Sequence, residues 1–142
     1  MGYLFISFTQ SNFGYAHKLA DKLLADGFDV WLADGIDYGD ERFAVSAEAI
    51  QQASACAVIM TSQSKASRWV RHEVLLATEL HKPIFSILRE GENWPLFRAL
   101  PIVDVRDGSL PDDEFTARLN AVVRRGRASG TRYMPPPFDL DC

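Results

Sequence analysis

Five short apolar runs, each the length of a strand and each separated from the next by a helical pattern, restrict this chain to very few folds. Residues 3–8 (Tyr-Leu-Phe-Ile-Ser-Phe), 28–32 (Phe-Asp-Val-Trp-Leu), 55–60 (Ala-Cys-Ala-Val-Ile-Met) and 84–88 (Ile-Phe-Ser-Ile-Leu) are the first four. Ile102, Val103 and Val105 form the last. Between them Phe13, Ala16, Leu19, Ala20, Leu23 and Leu24 recur at helical spacing, as do Phe43, Ala47, Ile50 and Ala53. Further helices are expected over about 67–80 and from Pro111 onward. Strands alternating with helices at this spacing imply a parallel sheet covered on both faces, because each crossover returns the chain to the same end of the sheet. The fold class is therefore α/β, and 142 residues suffice for one such domain.

Punctuation agrees with this reading. Gly27 supplies a left-handed stop after the first helix, for which Ser11 or Asn12 is an expected cap. Thr61 to Ser64 closes the third strand as a polar turn. Pro111-Asp-Asp-Glu opens the final helix with negative charge in its first turn. Arg124, Arg125 and Arg127 sit at that helix's C-terminal end, where its dipole favours cations. Residues 126–142, basic and then proline-rich, are expected to be a flexible tail beyond a domain at 1–125.

Several function classes drop out. The longest apolar runs fall far short of the roughly 20 residues that span a bilayer. The N-terminus lacks a signal-peptide pattern, so the expected address is the cytoplasm. A formal charge of −4 leaves no footprint for nucleic acid. The loop after the first strand holds neither a dinucleotide-binding glycine pattern nor a P-loop. His17, His72 and His81 stand apart without ligand-spaced partners, so no metal site is expected. Cys56, inside an apolar run, reads as a small buried hydrophobe. Ser7 and Ser62, at strand ends, lack a nucleophile elbow and suit capping or turn roles.

In α/β folds of this kind ligands bind outside the carboxyl ends of the strands. The informative helix there begins near Ser67. At about 100° per residue, Trp69, Val70, Val74, Leu76, Ala77 and Leu80 share one arc, and Glu73 interrupts it. An ionised carboxylate in that arc must be paired, lie at its edge or face a cavity. A boundary glutamate paired with Arg71 and a carboxylate in a cleft are both consistent with the periodicity. Trp69 lies one turn before Glu73 on the same face.

Taken together the motifs resemble those of a Toll/interleukin-1 receptor (TIR) domain. Leu4-Phe-Ile-Ser-Phe8 is similar to the family's opening Phe-Ile-Ser-Tyr box, and Gly27-Phe-Asp-Val-Trp31 to its second strand. Ile36-Asp-Tyr-Gly-Asp40 resembles the end of its BB loop, and Ser67-Arg-Trp-Val-Arg-His-Glu-Val74 the segment around its catalytic glutamate. Leu100-Pro-Ile-Val-Asp-Val105 is similar to its last strand. The resemblance spans about residues 3–125 in order. Thr9-Gln10 stands where some family enzymes carry arginine, and Tyr38 where many have proline.

This resemblance implies a flavodoxin-like three-layer sandwich around a five-stranded parallel sheet. It also implies NAD⁺ cleavage at the nicotinamide–ribose bond, giving ADP-ribose or a cyclic ADP-ribose signal, in the manner of bacterial antiviral TIR enzymes. Glu73 would be catalytic, with Phe8, Thr9, Asp34, Phe43 and Trp69 near the substrate. Ile36, Asp37, Tyr38, Gly39 and Asp40 would serve self-assembly. NAD⁺ is then substrate rather than cofactor, and the expected partners are other TIR domains and an activating protein. A non-catalytic adaptor working by TIR–TIR contacts is the alternative, although adaptors generally lack the helix glutamate. A nucleoside deoxyribosyltransferase-like fold would also use a glutamate but fits the opening box poorly.

Overall fold

A computed structural model describes residues 2–32, 41–92, 94, 102–123 and 132–133, the side chains of 41–43 and 132–133 excepted. Five expected strands are present as β1 (Leu4–Ser7), β2 (Val30–Leu32), β3 (Ala55–Met60), β4 (Ile84–Leu88) and β5 (Ile102–Asp104). A sixth, β6 (Arg132–Tyr133), comes from within the expected tail and pairs in parallel with β2. The sheet order is β5-β4-β3-β1-β2-β6, parallel throughout. Strands β1 to β5 thus follow the flavodoxin-like order, with the topological switch where β1 and β3 adjoin.

Among the described residues the α-helices are α1 (Phe13–Ala25), α2 (Glu41–Gln52), α3 (Ser62–Ala66), α4 (Arg68–Glu79) and α5 (Asp113–Val122). Alternation along the strands sorts the core into two layers. Leu4, Ile6, Val30, Leu32, Ala57 and Ile59 pack with Leu19 and Leu23 of α1 and Phe115 and Leu119 of α5. On the opposite face Phe5, Trp31 and Cys56 pack with Ala49 and Ile50 of α2 and Ala77 of α4. Val58 and Met60 meet Val70 and Val74 there. Phe5 and Trp31, neighbours across β1 and β2, stack with centroids 5.0 Å apart. None of the described helices is long and apolar enough to cross a membrane.

The ends of the elements show where local chemistry departs from expectation. Gly27, at φ +95°, does stop α1. Its N–H reaches Leu24 O, and that of Phe28 reaches Leu23 O, the paired bonds of a Schellman ending. Asn12 precedes α1, but its side chain bonds Thr9 and Thr61 instead of capping the helix. It therefore ties the loop after β1 to the end of β3. The polar stretch after β3 is helix α3, opened by a reciprocal Thr61–Ser64 capping box. In α5 the proline lies outside the helix and Asp112 caps it, accepting from Glu114 N and Phe115 N. Ser67 caps α4 through Val70 N. Lys82 donates to Gln51 O and Ala53 O, placing a cation where α2 ends.

Leu19 is completely buried. Leu19→Ala is expected to cost about 2–5 kcal/mol, read as a lowered urea midpoint with an unchanged slope.

Cys56 is a free thiol, 5% exposed, and burial pushes its pKa from 9.0 up to about 12, with Glu73 adding to and Lys82 opposing the rise. The folded thiol stays protonated where the unfolded one ionises. Its burial therefore supports folding fully below pH 9, and that support is lost as pH rises toward 12. In a Cys142→Ser background, Cys56 should resist iodoacetamide at pH 8 and react on adding urea. Rapid labelling of the folded chain would contradict this burial.

Candidate functional site

The site assembles from three elements at the carboxyl end of β1. Ser7 is the last residue of that strand, and alternation turns it toward the face covered by α2 and α4. Glu73 is on the second turn of α4, whose buried residues are Val70, Glu73, Val74 and Ala77. Ser46 is buried on α2, which packs along α4.

Glu73 is 3% exposed, so it is not a glutamate at the edge of the apolar stripe; its neighbours Arg71 and His72 are exposed instead. Ser7 Oγ donates to Glu73 Oε1 at 2.7 Å, and Ser46 Oγ donates to Glu73 Oε2 at 2.7 Å. Two short bonds from hydroxyls, one on each oxygen, offset part of the heavy cost of removing a carboxylate from water. They also fix the plane of the carboxyl group. Beside it lies a cavity of about 10 Å³, lined by Phe5, Ser7, Cys56, Glu73, Val74 and Ala77 among others. That space is at the lower limit for one water molecule. Around the described residues, Glu73 is thus held in a closed setting.

A wider opening of about 420 Å³ lies over the ends of β1, β3 and β4, lined by Ser11, Asn12, Gln63, Arg89, Glu90, Gly91 and Arg106. Its arginines are engaged within the chain. Arg106 pairs with Asp104 at 2.7 Å and holds that carboxyl down at about 2. Arg89 bonds the carbonyl of Arg106 at 3.3 Å and lies over the Tyr15 ring at 5.3 Å. Desolvation lifts the Tyr15 hydroxyl to about 12 against the pull of Arg89, and that hydroxyl donates to Ser109 O.

The other expected site residues are placed differently from one another. Trp69 is half-buried one turn before Glu73, with the Arg68 guanidinium 5.8 Å from its ring. Phe8 is not brought to Glu73: it is 5% exposed and packs in the layer of α1 and α5, because it alternates away from Ser7. Thr9 joins the polar network of Ser11 and Asn12. Asp34, Ile36, Asp37, Tyr38, Gly39 and Asp40 lie outside the described residues, as does the side chain of Phe43.

Sequence reasoning missed Ser46 altogether and gave Ser7 a capping or turn role. For Ser7 a signal existed, since it is the polar residue of an otherwise apolar strand on the inward face. Ser46 carried one too, as a polar residue between Val45 and Ala49 on a buried helix face.

No curated protein matches the chain. Among solved structures, it is similar to the TIR domain of the Toll-related receptor TRR-2 from Hydra magnipapillata, with a TM-score of 0.65 and 18% identity. That match covers 76% of this chain and 87% of the Hydra one. The family model described as TIR domain matches residues 4–122. With the sheet order and the motif order in agreement, the chain belongs to the TIR domain family.

Proposed function

We propose that this TIR domain cleaves NAD⁺ at the nicotinamide–ribose bond, with Glu73 as the catalytic carboxylate. The observation that carries this reading is a buried carboxylate, oriented by two hydroxyls at the topological switch of the sheet, with an indole one turn away. A carboxylate that only filled space there would be a costly choice over leucine or methionine.

The chemistry suits a single carboxylate. As the glycosidic bond breaks, its electron pair passes to the pyridinium nitrogen, so nicotinamide leaves neutral and needs no general acid. Positive charge develops at the ribosyl carbon, where an ionised Glu73 stabilises it and accepts hydrogen bonds from ribose hydroxyls. Water then adds at that carbon and releases a proton, giving ADP-ribose. Capture by a nucleophile within the same molecule gives a cyclic ADP-ribose instead. Trp69 offers an aromatic wall for a flat ring. Thr9, Asp34 and Phe43 are proposed as further contacts, and residues 36–40 as the segment through which neighbouring copies complete the site.

The closed setting of Glu73 adds a condition: the packing around it must open before a dinucleotide reaches the carboxylate. Turnover is therefore expected to rise with self-association or an activating partner. A non-catalytic assembly module is the alternative, favoured by Leu75 of α4, an apolar side chain left 55% exposed.

Purified chain at high concentration, with and without a crowding agent, is incubated with NAD⁺ and the products are separated chromatographically. Nicotinamide release is expected from the wild type and a loss of at least about a hundredfold in Glu73→Gln. Equal release by both would remove Glu73 from the chemistry. Release by neither under assembling conditions would leave the assembly module as the reading. Trp69→Ala is expected to lower kcat/KM about tenfold through lost stacking, which steady-state kinetics will measure.

A further inference from the structure

We infer that Ser7 and Ser46 are positioning residues for Glu73, fixing its two carboxylate oxygens in the orientation in which the group meets the ribose. The role in turnover rests on the NAD⁺-cleavage reading above; the hold on the carboxylate does not. Ser7 anchors Oε1 to β1 and Ser46 anchors Oε2 to α2, each at 2.7 Å. The two oxygens are thus tied to different layers of the fold.

Both serines are buried, at 4% and 1% exposure, so water does not compete for their hydroxyls. Neither is used by a helix end: Ser7 closes a strand, and Ser46 lies in mid-helix, where a hydroxyl would otherwise favour its own backbone. Pointing both at one carboxylate is the most economical way to satisfy three buried polar groups together.

The two anchors sit in different surroundings. Ser7 belongs to a strand paired on both sides, by β2 and by β3. Ser46 lies on α2, the helix that directly follows residues 36–40, where self-assembly is expected. A shift of α2 therefore reaches the carboxylate through one bond.

The test uses the full chain as wild type, Ser7→Ala, Ser46→Ala, Ser46→Thr and Glu73→Gln. Infrared difference spectra, each taken against Glu73→Gln, isolate the carboxylate stretch of Glu73. That band is expected to move in both alanine variants and to stay in place in Ser46→Thr, which keeps the hydroxyl. Nicotinamide-release kinetics are expected to show kcat lowered about ten- to a hundredfold in the alanine variants, with KM within about twofold and Ser46→Thr largely restored. An unmoved band with unchanged kcat in both alanine variants would overturn the inference. If Ser7→Ala fails to fold, the Ser46 pair decides alone. A wild type that releases no nicotinamide refutes the hydrolase reading, and the infrared band still decides whether the serines hold the carboxylate.

Discussion

A carboxylate removed from water has to be met by donors within the fold, and at Glu73 that requirement ties three elements to one point. The end of β1, the middle of α2 and the second turn of α4 must be in register for Ser7 and Ser46 to reach opposite oxygens of one group. A slip of one residue in β1 would turn Ser7 into the α1 layer and put Phe8 or Ile6 in its place. A third of a turn in α2 would withdraw Ser46. The polar cluster thus specifies packing that the surrounding small apolar residues, among them Ala49, Ala53, Cys56 and Ala77, would otherwise leave degenerate.

Much of this architecture is legible in the residues. Strand positions follow from short apolar runs, which survive because a central parallel sheet is buried on both faces. The stop at Gly27 follows from backbone sterics alone, and so does the Glu73 anomaly from helical period. What is not legible comes from contacts between distant segments. Ser46 meets Glu73 across 27 residues and Ser7 across 66, and no local pattern encodes either. Asn12 looks like a cap in isolation, but Thr61, brought close by the pairing of β1 with β3, competes for its amide. Helix α3 hides in a stretch short enough to read as a turn. The placement of Arg132–Tyr133 beside β2 depends on an open sheet edge rather than on apolar pattern, which two residues cannot show.

The direction of Phe8 is instructive for the candidate site. Position along the chain puts it next to Ser7, at the strand end where ligands bind in this fold. Pleat geometry sends the two side chains to opposite layers. Among the described aromatics, Phe5 of the sheet lines the small cavity with Glu73, and Trp69 lies one turn before it on the same helix. Family membership fixes the fold and the frame of the motifs; the hydroxyl-held carboxylate is what gives the catalytic reading its physical content.

The most direct measurement is a crystal structure of the Glu73→Gln chain grown with NAD⁺, since that substitution preserves shape while suppressing turnover. The proposed chemistry predicts the nicotinamide ribose within hydrogen-bonding distance of the side chain at position 73, with a ring of the ligand against Trp69. NAD⁺ seated only in the Arg89 and Arg106 opening, with position 73 still enclosed between Ser7 and Ser46, would contradict it.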